Sequence, residues 1–197
     1  MMQGGHPVGK TCMIAFQTCF LALFWSIPVL AAGSEAIILW HLLETKHTVI
    51  KYQSDEDLQF FHDKVDYVPH KYYLKQLITP SDQQTLEERL KMKIDFLFER
   101  VQEILDMQKK AEKVSIEVYH DKQQLQDAYA TIFKKTGSLR AWYIFKRNTI
   151  YITVEDIHEG MLAHEIAHAV IDNYLEVRPP SATAEILARY VDRHLAE

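Results

Sequence analysis

Two histidines and a glutamate stand at a spacing that suits metal chemistry, in the run His164-Glu165-Ile166-Ala167-His168. On an α-helix, residues four apart lie one turn apart on the same face, so both imidazoles can reach one ion. Glu165 is rotated by about 100° from His164. Its carboxylate can therefore flank the ion without binding it, and accept a proton from a metal-activated water. We predict a metal site on a helix, with His164 and His168 as ligands and Glu165 as general base.

A third ligand is expected, because a catalytic zinc site usually has three protein ligands and one exchangeable water. One known solution places a histidine six residues after the second histidine, but Tyr174 occupies that position. Glu185 follows His168 by seventeen residues and lies in the early turns of the next predicted helix. We predict Glu185 as the third ligand, with Asp192 in reserve. The competing interpretation of Glu185 is a surface carboxylate near a helix N-terminus.

These two motifs resemble the gluzincin zinc metallopeptidases, most closely the small peptidase-MA-like members. The resemblance rests on Leu-Ala-His-Glu-Ile-Ala-His-Ala-Val, residues 162–170, followed by Ala-Glu-Ile-Leu-Ala-Arg-Tyr, residues 184–190. It implies a Zn²⁺ cofactor on the three predicted ligands, a peptide or protein substrate, and hydrolysis by a zinc-activated water with Glu165 as base. It also implies a substrate-binding edge strand, formed by Asn148, Thr149, Ile150, Tyr151, Ile152 and Thr153.

The chain departs from that family at two positions of its last helix. Ile186 replaces the usual glycine, and Arg189 stands four residues after Glu185, where thermolysin-like enzymes carry an aspartate that orients a ligand histidine. Asp172, one turn beyond His168, can take that role, because a metal-bound histidine usually donates its second nitrogen to an oxygen. A plain helix-surface aspartate is the other interpretation. The alternative function is an inactive peptidase-like module that binds zinc or a partner.

Peptide hydrolysis places negative charge on the carbonyl oxygen, so a hydrogen-bond donor besides the metal is expected. Three residues near the motifs are candidates, and the sequence makes no choice between Tyr190, Tyr174 and His194. His158, six residues before His164, lies off the ligand face and is expected in a loop or cap.

The elements that position these residues follow from hydrophobic periodicity and turn signals, and they predict an α+β domain. Strands are predicted at residues 48–52, 114–119, 139–145 and 149–154, with the last two forming a hairpin. Helices are predicted after a Ser54 cap, from Ser81 through an apolar stripe to residue 104, from 121 to a terminating Gly137, at 157–174, and from a Ser181 or Thr183 cap to residue 195. With the resemblance, this implies a zincin-like fold: a small mixed or antiparallel sheet, an active-site helix and a glutamate-bearing helix.

The first 33 residues differ in composition from the rest of the chain. They contain Lys10, an apolar run over residues 13–32, no acidic residue, and small residues before position 34. This pattern predicts a cleaved signal peptide, and hence an exported, periplasmic or secreted protein. A retained membrane anchor is the alternative. Both cysteines, Cys12 and Cys19, lie here, so a metal site in the cleaved product must use histidines and carboxylates.

Taken as a whole, the chain has enough apolar material for one core. It is 48% hydrophobic and 25% charged over 197 residues. With 22 basic and 27 acidic residues, it has no basic excess that would support nucleic-acid binding. We predict a mostly helical region at residues 34–112, which can scaffold or cover the site, and a zincin-like core at 113–197.

Overall fold

The computed structural model describes residues 39–67, 84–110 and 112–196, which form an α+β fold of five strands and five helices. In chain order the elements are β1 (His41–Glu44), β2 (Thr48–Tyr52), α1 (Asp55–Lys64), α2 (Leu86–Leu105), β3 (Val114–Tyr119), α3 (Lys122–Phe133), β4 (Ala141–Ile144), β5 (Thr149–Thr153), α4 (Glu159–Tyr174) and α5 (Ser181–His194). A 3₁₀ turn, Phe145–Arg147, joins β4 to β5. The predicted export segment and Ser81 lie outside the described ranges. Within them, no helix is long and apolar enough to cross a membrane.

The five strands form one mixed sheet in the order β1-β2-β3-β5-β4. The three inner strands are parallel to one another, and the two outer strands, β1 and β4, pair antiparallel with their neighbours. The predicted strands at 48–52 and 114–119 and the predicted hairpin are confirmed.

The prediction that residues 148–153 form an edge strand is wrong. β5 lies between β3 and β4, and every one of its five residues is buried, as expected for an inner parallel strand. The edge next to it is β4, which contains Ala141–Ile144. The two strands of the hairpin have similar compositions, so only the long-range pairing with β3 decides which of them lies inside the sheet.

Side-chain caps set where the first two helices begin. Ser54 accepts a hydrogen bond from the backbone N–H of Asp57, which confirms the predicted cap of α1. At α2, Thr85 accepts from the backbone N–H of Glu88, and the Glu88 carboxylate accepts from the backbone N–H of Thr85. This reciprocal capping box satisfies two of the N–H groups that a helix start leaves unpaired.

One hydrophobic core spans the predicted boundary between residues 112 and 113. The middle of the apolar stripe of α2 is buried, and its residues Leu90, Ile94 and Leu97 share a core cluster with Ile116 of β3 and Ile166 of α4. Strands from both sides of the boundary also pair in the same sheet. The two predicted regions therefore do not have separate cores. A local apolar pattern shows that a helix has a buried face, but not which distant element covers it.

Helix α3 ends earlier than predicted, because its C-cap is Lys134 in the left-handed conformation, with φ of 55°. Gly137 serves a packing purpose instead. A Cβ at that position would lie 2.6 Å from Cε1 of Tyr129. The Tyr129 ring stands edge-on to Trp142, in an aromatic cluster that also includes Tyr151.

Candidate metal centre

Helix α4 holds the two histidines and Glu165 near its middle. It begins at a cap made by His158, whose Nδ1 accepts a hydrogen bond from the backbone N–H of Met161 at 3.3 Å. The expectation that His158 is a cap residue is confirmed. Leu162 and Ile166 on the same helix are fully buried in the main core. Their burial fixes the rotation of α4, and with it the direction in which the polar motif residues point.

Helix α5 is placed beside α4 by the short connection between them. Pro179-Pro180 cannot continue a helix, since each proline lacks a backbone N–H. The chain turns there, and α5 begins at Ser181 with no side-chain cap. The predicted cap at Ser181 or Thr183 is therefore wrong. Ala184 and Ala188 of α5 are buried, and side chains of this size let the two helices approach closely.

The three predicted ligands lie together at the contact between α4 and α5. Nε2 of His164 and Nε2 of His168 lie 3.7 and 3.6 Å from the same oxygen, Oε2 of Glu185. One donor atom from each residue can be chosen so that all three lie within 4.8 Å of one another. Two ligands that each stand about 2.1 Å from a tetrahedral ion are about 3.4 Å apart. The separations therefore fit a single divalent cation.

A hydrogen bond orients one of the two histidines. Nδ1 of His164 lies 3.1 Å from Oδ2 of Asp192, one of the later residues of α5. A carboxylate partner requires the proton to be on Nδ1, which leaves the lone pair on Nε2 directed to Glu185 and His168. Asp192, expected as the reserve third ligand, thus contacts the Nδ1 side of His164, a predicted ligand. The sequence motifs did not indicate this contact, although Asp192 follows Glu185 at a spacing that repeats the helix face.

The other predicted orienting residue does not contact a histidine. Asp172 is buried and accepts a hydrogen bond from Nε of Arg178 at 3.1 Å. Burial raises the pKa of Asp172, and the Arg178 guanidinium opposes this rise. The same guanidinium lies 5.1 Å from the ring centroid of Phe145. Asp172 therefore pairs with Arg178, which lies in the connection between α4 and α5, and not with His164 or His168.

Glu185 has its own partner on α5. Oε1 of Glu185 accepts a hydrogen bond from Nε of Arg189 at 2.8 Å. This bond is the main cause that lowers the pKa of Glu185, and it acts with the nearby histidines against partial burial. Glu185 is therefore held as a carboxylate, the form in which it can bind a metal ion.

Glu165 is buried beside this cluster and is not part of it. Its residue is 8% exposed, and burial raises its pKa to about 7. The nearby negative charges of Glu185 and Asp192 also raise its pKa, whereas His164 and a hydrogen bond from the backbone N–H of Tyr143 lower it. Tyr143 belongs to the edge strand β4, so the Glu165 carboxylate lies against that edge. A carboxyl group that titrates near neutral pH can both accept and donate a proton there.

The pKa of His168 also favours the form that can bind a metal ion. Burial lowers the pKa of His168 below its usual value, and the neighbouring His164 lowers it further. The neutral imidazole, which carries the lone pair a metal needs, is therefore favoured at neutral pH.

The three candidate transition-state donors are not brought to the cluster. Tyr190 and His194 are rotated by about 140° and 180° from Glu185 around α5, and they stack on each other with a centroid distance of 3.9 Å. Tyr174 ends α4, about 9 Å along the axis beyond His168, where its carbonyl oxygen accepts from Lys109 at 3.5 Å. These contacts are with each other and with Lys109, and not with His164, His168 or Glu185. The donor role of the three residues stays a prediction.

Comparison with known proteins finds no family model, curated protein or solved structure that matches this chain.

Proposed function

We propose that this protein is a zinc-dependent metallopeptidase of the gluzincin type with a zincin-like fold. The observation that carries the proposal is the position of one Glu185 oxygen, 3.7 and 3.6 Å from the Nε2 atoms of His164 and His168, next to buried Glu165. Two imidazoles and one carboxylate form the ligand set of many catalytic zinc sites.

The donor set and its surroundings fit zinc. Histidine nitrogens with one carboxylate oxygen suit zinc better than calcium or magnesium, which prefer sites made of oxygens. When bound, a zinc ion would lower the pKa of a coordinated water and polarise a substrate carbonyl. The chain contributes a neutral His168, an ionised Glu185, and an Nδ1 of His164 that is already engaged by Asp192.

Glu165 performs the proton transfers in this proposal. Its carboxylate takes a proton from the attacking water and delivers it to the amine of the leaving peptide. Without a metal ion, burial raises the pKa of Glu165 to about 7, and the carboxyl group lies beside the predicted ligands. The backbone N–H of Tyr143 holds the carboxylate against β4, so the transfers take place beside the sheet edge.

An extended substrate would lie along β4. β4 is the outermost strand of the described sheet and pairs only with β5, and the backbone of Tyr143 in β4 interacts with the Glu165 carboxylate. The outer edge of a strand can pair with an added strand. We propose that the peptide adds to Ala141–Ile144, in place of the strand expected from the sequence. The proposal that the protein is exported rests on residues 1–33 alone.

A comparison of the full chain with its Glu165→Gln variant tests the function. Both proteins are loaded with zinc, their metal content is measured, and each is incubated with a mixed peptide library whose products are identified by mass spectrometry. We expect one zinc per chain in both, cleavage by the unchanged protein, and a loss of turnover of at least about 100-fold in Glu165→Gln. Glu176→Gln, which removes an exposed carboxylate, is the matched control and should cleave normally.

The possible results separate this function from its alternative. Equal cleavage by Glu165→Gln and the unchanged protein would exclude Glu165 as the base. One zinc per chain without cleavage of any peptide would favour the inactive zinc-binding module. No bound zinc in a folded protein would reject the metal centre itself.

A further inference from the structure

The two oxygens of the Glu185 carboxylate have different partners. Oε1 accepts from Nε of Arg189 at 2.8 Å, whereas Oε2 faces both ligand histidines. Within the described ranges, Arg189 is the one hydrogen-bond partner of this carboxylate. Arg189 therefore determines which oxygen is available to a metal ion.

Packing alone does not hold Glu185 in this position. Its side chain is 40% exposed, and the nearest buried residues of α5, Ala184 and Ala188, are small. A long carboxylate side chain on a helix surface samples several rotamers, and ordering it costs conformational entropy. Arg189 stands one turn further on α5, and its bond to Oε1 selects the rotamer that directs Oε2 to the histidines.

We infer that Arg189 is a positioning residue of the metal centre, which holds Glu185 as a ligand through one oxygen. The inference rests on the proposed function, since it assigns a role within the same site. An arginine suits this role because its charge is permanent and its Nε–H has a fixed direction. The arginine that departs from the thermolysin-like pattern thus acts on the third ligand, while Asp192 acts on the first.

A positioning role and a purely electrostatic role make opposite predictions. The positive charge of Arg189 repels a dication, so if charge alone mattered, removing it would strengthen metal binding. If Arg189 positions Glu185, removing it frees the carboxylate and weakens metal binding. Loss of a residue that orients a metal ligand typically lowers metal affinity by about 10- to 100-fold.

The test measures metal affinity on the full chain by competition with a chromophoric chelator. Arg189→Ala should bind zinc about tenfold more weakly than the unchanged protein, and Arg189→Lys should recover most of the loss, because a lysine also pairs with a glutamate four residues earlier. The matched control is Arg193→Ala. It removes the same charge from the same helix at a residue that makes no hydrogen bond or ion pair among the described residues. Its affinity should equal that of the unchanged protein.

Visible absorption of the cobalt-substituted protein supplies a second readout, which a merely structural contact would not alter. Freed from Arg189, Glu185 can bind through both oxygens, and the higher coordination number should weaken the cobalt absorption bands of Arg189→Ala. Unchanged or tighter zinc binding by Arg189→Ala, with an unchanged cobalt spectrum, would overturn the positioning role while leaving the metal centre intact. If the unchanged protein itself fails to bind zinc or cobalt, the metal centre and the role of Arg189 are both rejected.

Discussion

The buried carboxyl group of Glu165 should make the metal-free protein less stable at neutral and alkaline pH, and its replacement by glutamine should remove this penalty. The pKa of Glu165 is raised from 4.5 to about 7. The folded state binds the proton more tightly than the unfolded state does. The protonated group therefore makes its whole contribution to stability below pH 4.5. This contribution is lost as the pH rises through about 7. A shift of this size lowers the free energy of unfolding by about 1 kcal/mol at pH 5 and by about 3 kcal/mol at pH 8, relative to the protonated group. Glutamine has nearly the same shape and no charge, and its oxygen can still accept from Tyr143.

Urea unfolding in the presence of a chelator measures this effect at pH 5, 6, 7 and 8. We expect Glu165→Gln to be more stable than the unchanged protein, by a margin that grows from about 1 to about 3 kcal/mol across this range. Glu176→Gln, at an exposed position in the α4–α5 connection, should show no such pH-dependent margin. A margin that is absent, or that does not change with pH, would refute the argument that burial penalises the Glu165 carboxylate.

Three further outcomes follow from the structure. Zinc at 100 times its dissociation constant should stabilise the protein by about 2.7 kcal/mol; a thermal shift that persists in His164→Ala would contradict the site. Asp192→Asn should lower zinc affinity by about tenfold, because the charged partner of His164 is lost; this is measured by chelator competition, and unaltered affinity would count against the contact. Gly137→Ala should cost about 1 to 3 kcal/mol in urea unfolding, because the new methyl group meets the ring of Tyr129; its zinc affinity should not change, and undiminished stability would show that the ring moves aside freely.

Local patterns predicted the elements of this fold better than their arrangement. The strands at residues 48–52 and 114–119 are confirmed because alternation of apolar residues is a property of the segment itself. The order of the strands in the sheet depends on which pairings bury the most apolar surface among all the segments. For that reason, the sequence could not show that β5 lies inside the sheet and β4 at its edge.

The same distinction applies to the site. The shared face of His164 and His168 follows from the geometry of one helix, and the structure agrees with it. Glu185 was placed by its distance along the chain, and its meeting with the histidines depends on the turn at Pro179-Pro180 and the packing of Ala184 and Ala188. Some contacts between helices depend on the direction of the side chains. The contact of Asp192 with His164 is one of them, and the sequence motif could not predict it.

The roles on α5 are assigned by helix face rather than by fixed spacing. Taking about 100° per residue, Arg189 lies about 40° from Glu185 in one direction and Asp192 about 20° in the other. Asp192 lies toward the buried Ala188, whereas the Arg189 side chain lies toward solvent and is 67% exposed. Arg189 is one turn beyond Glu185 and reaches back along the same helix to Oε1, whereas Asp192 is two turns beyond and reaches across to His164. In the proposed site, Asp192 therefore contacts His164 from the second turn beyond Glu185, and the first turn holds Arg189, which we propose positions Glu185.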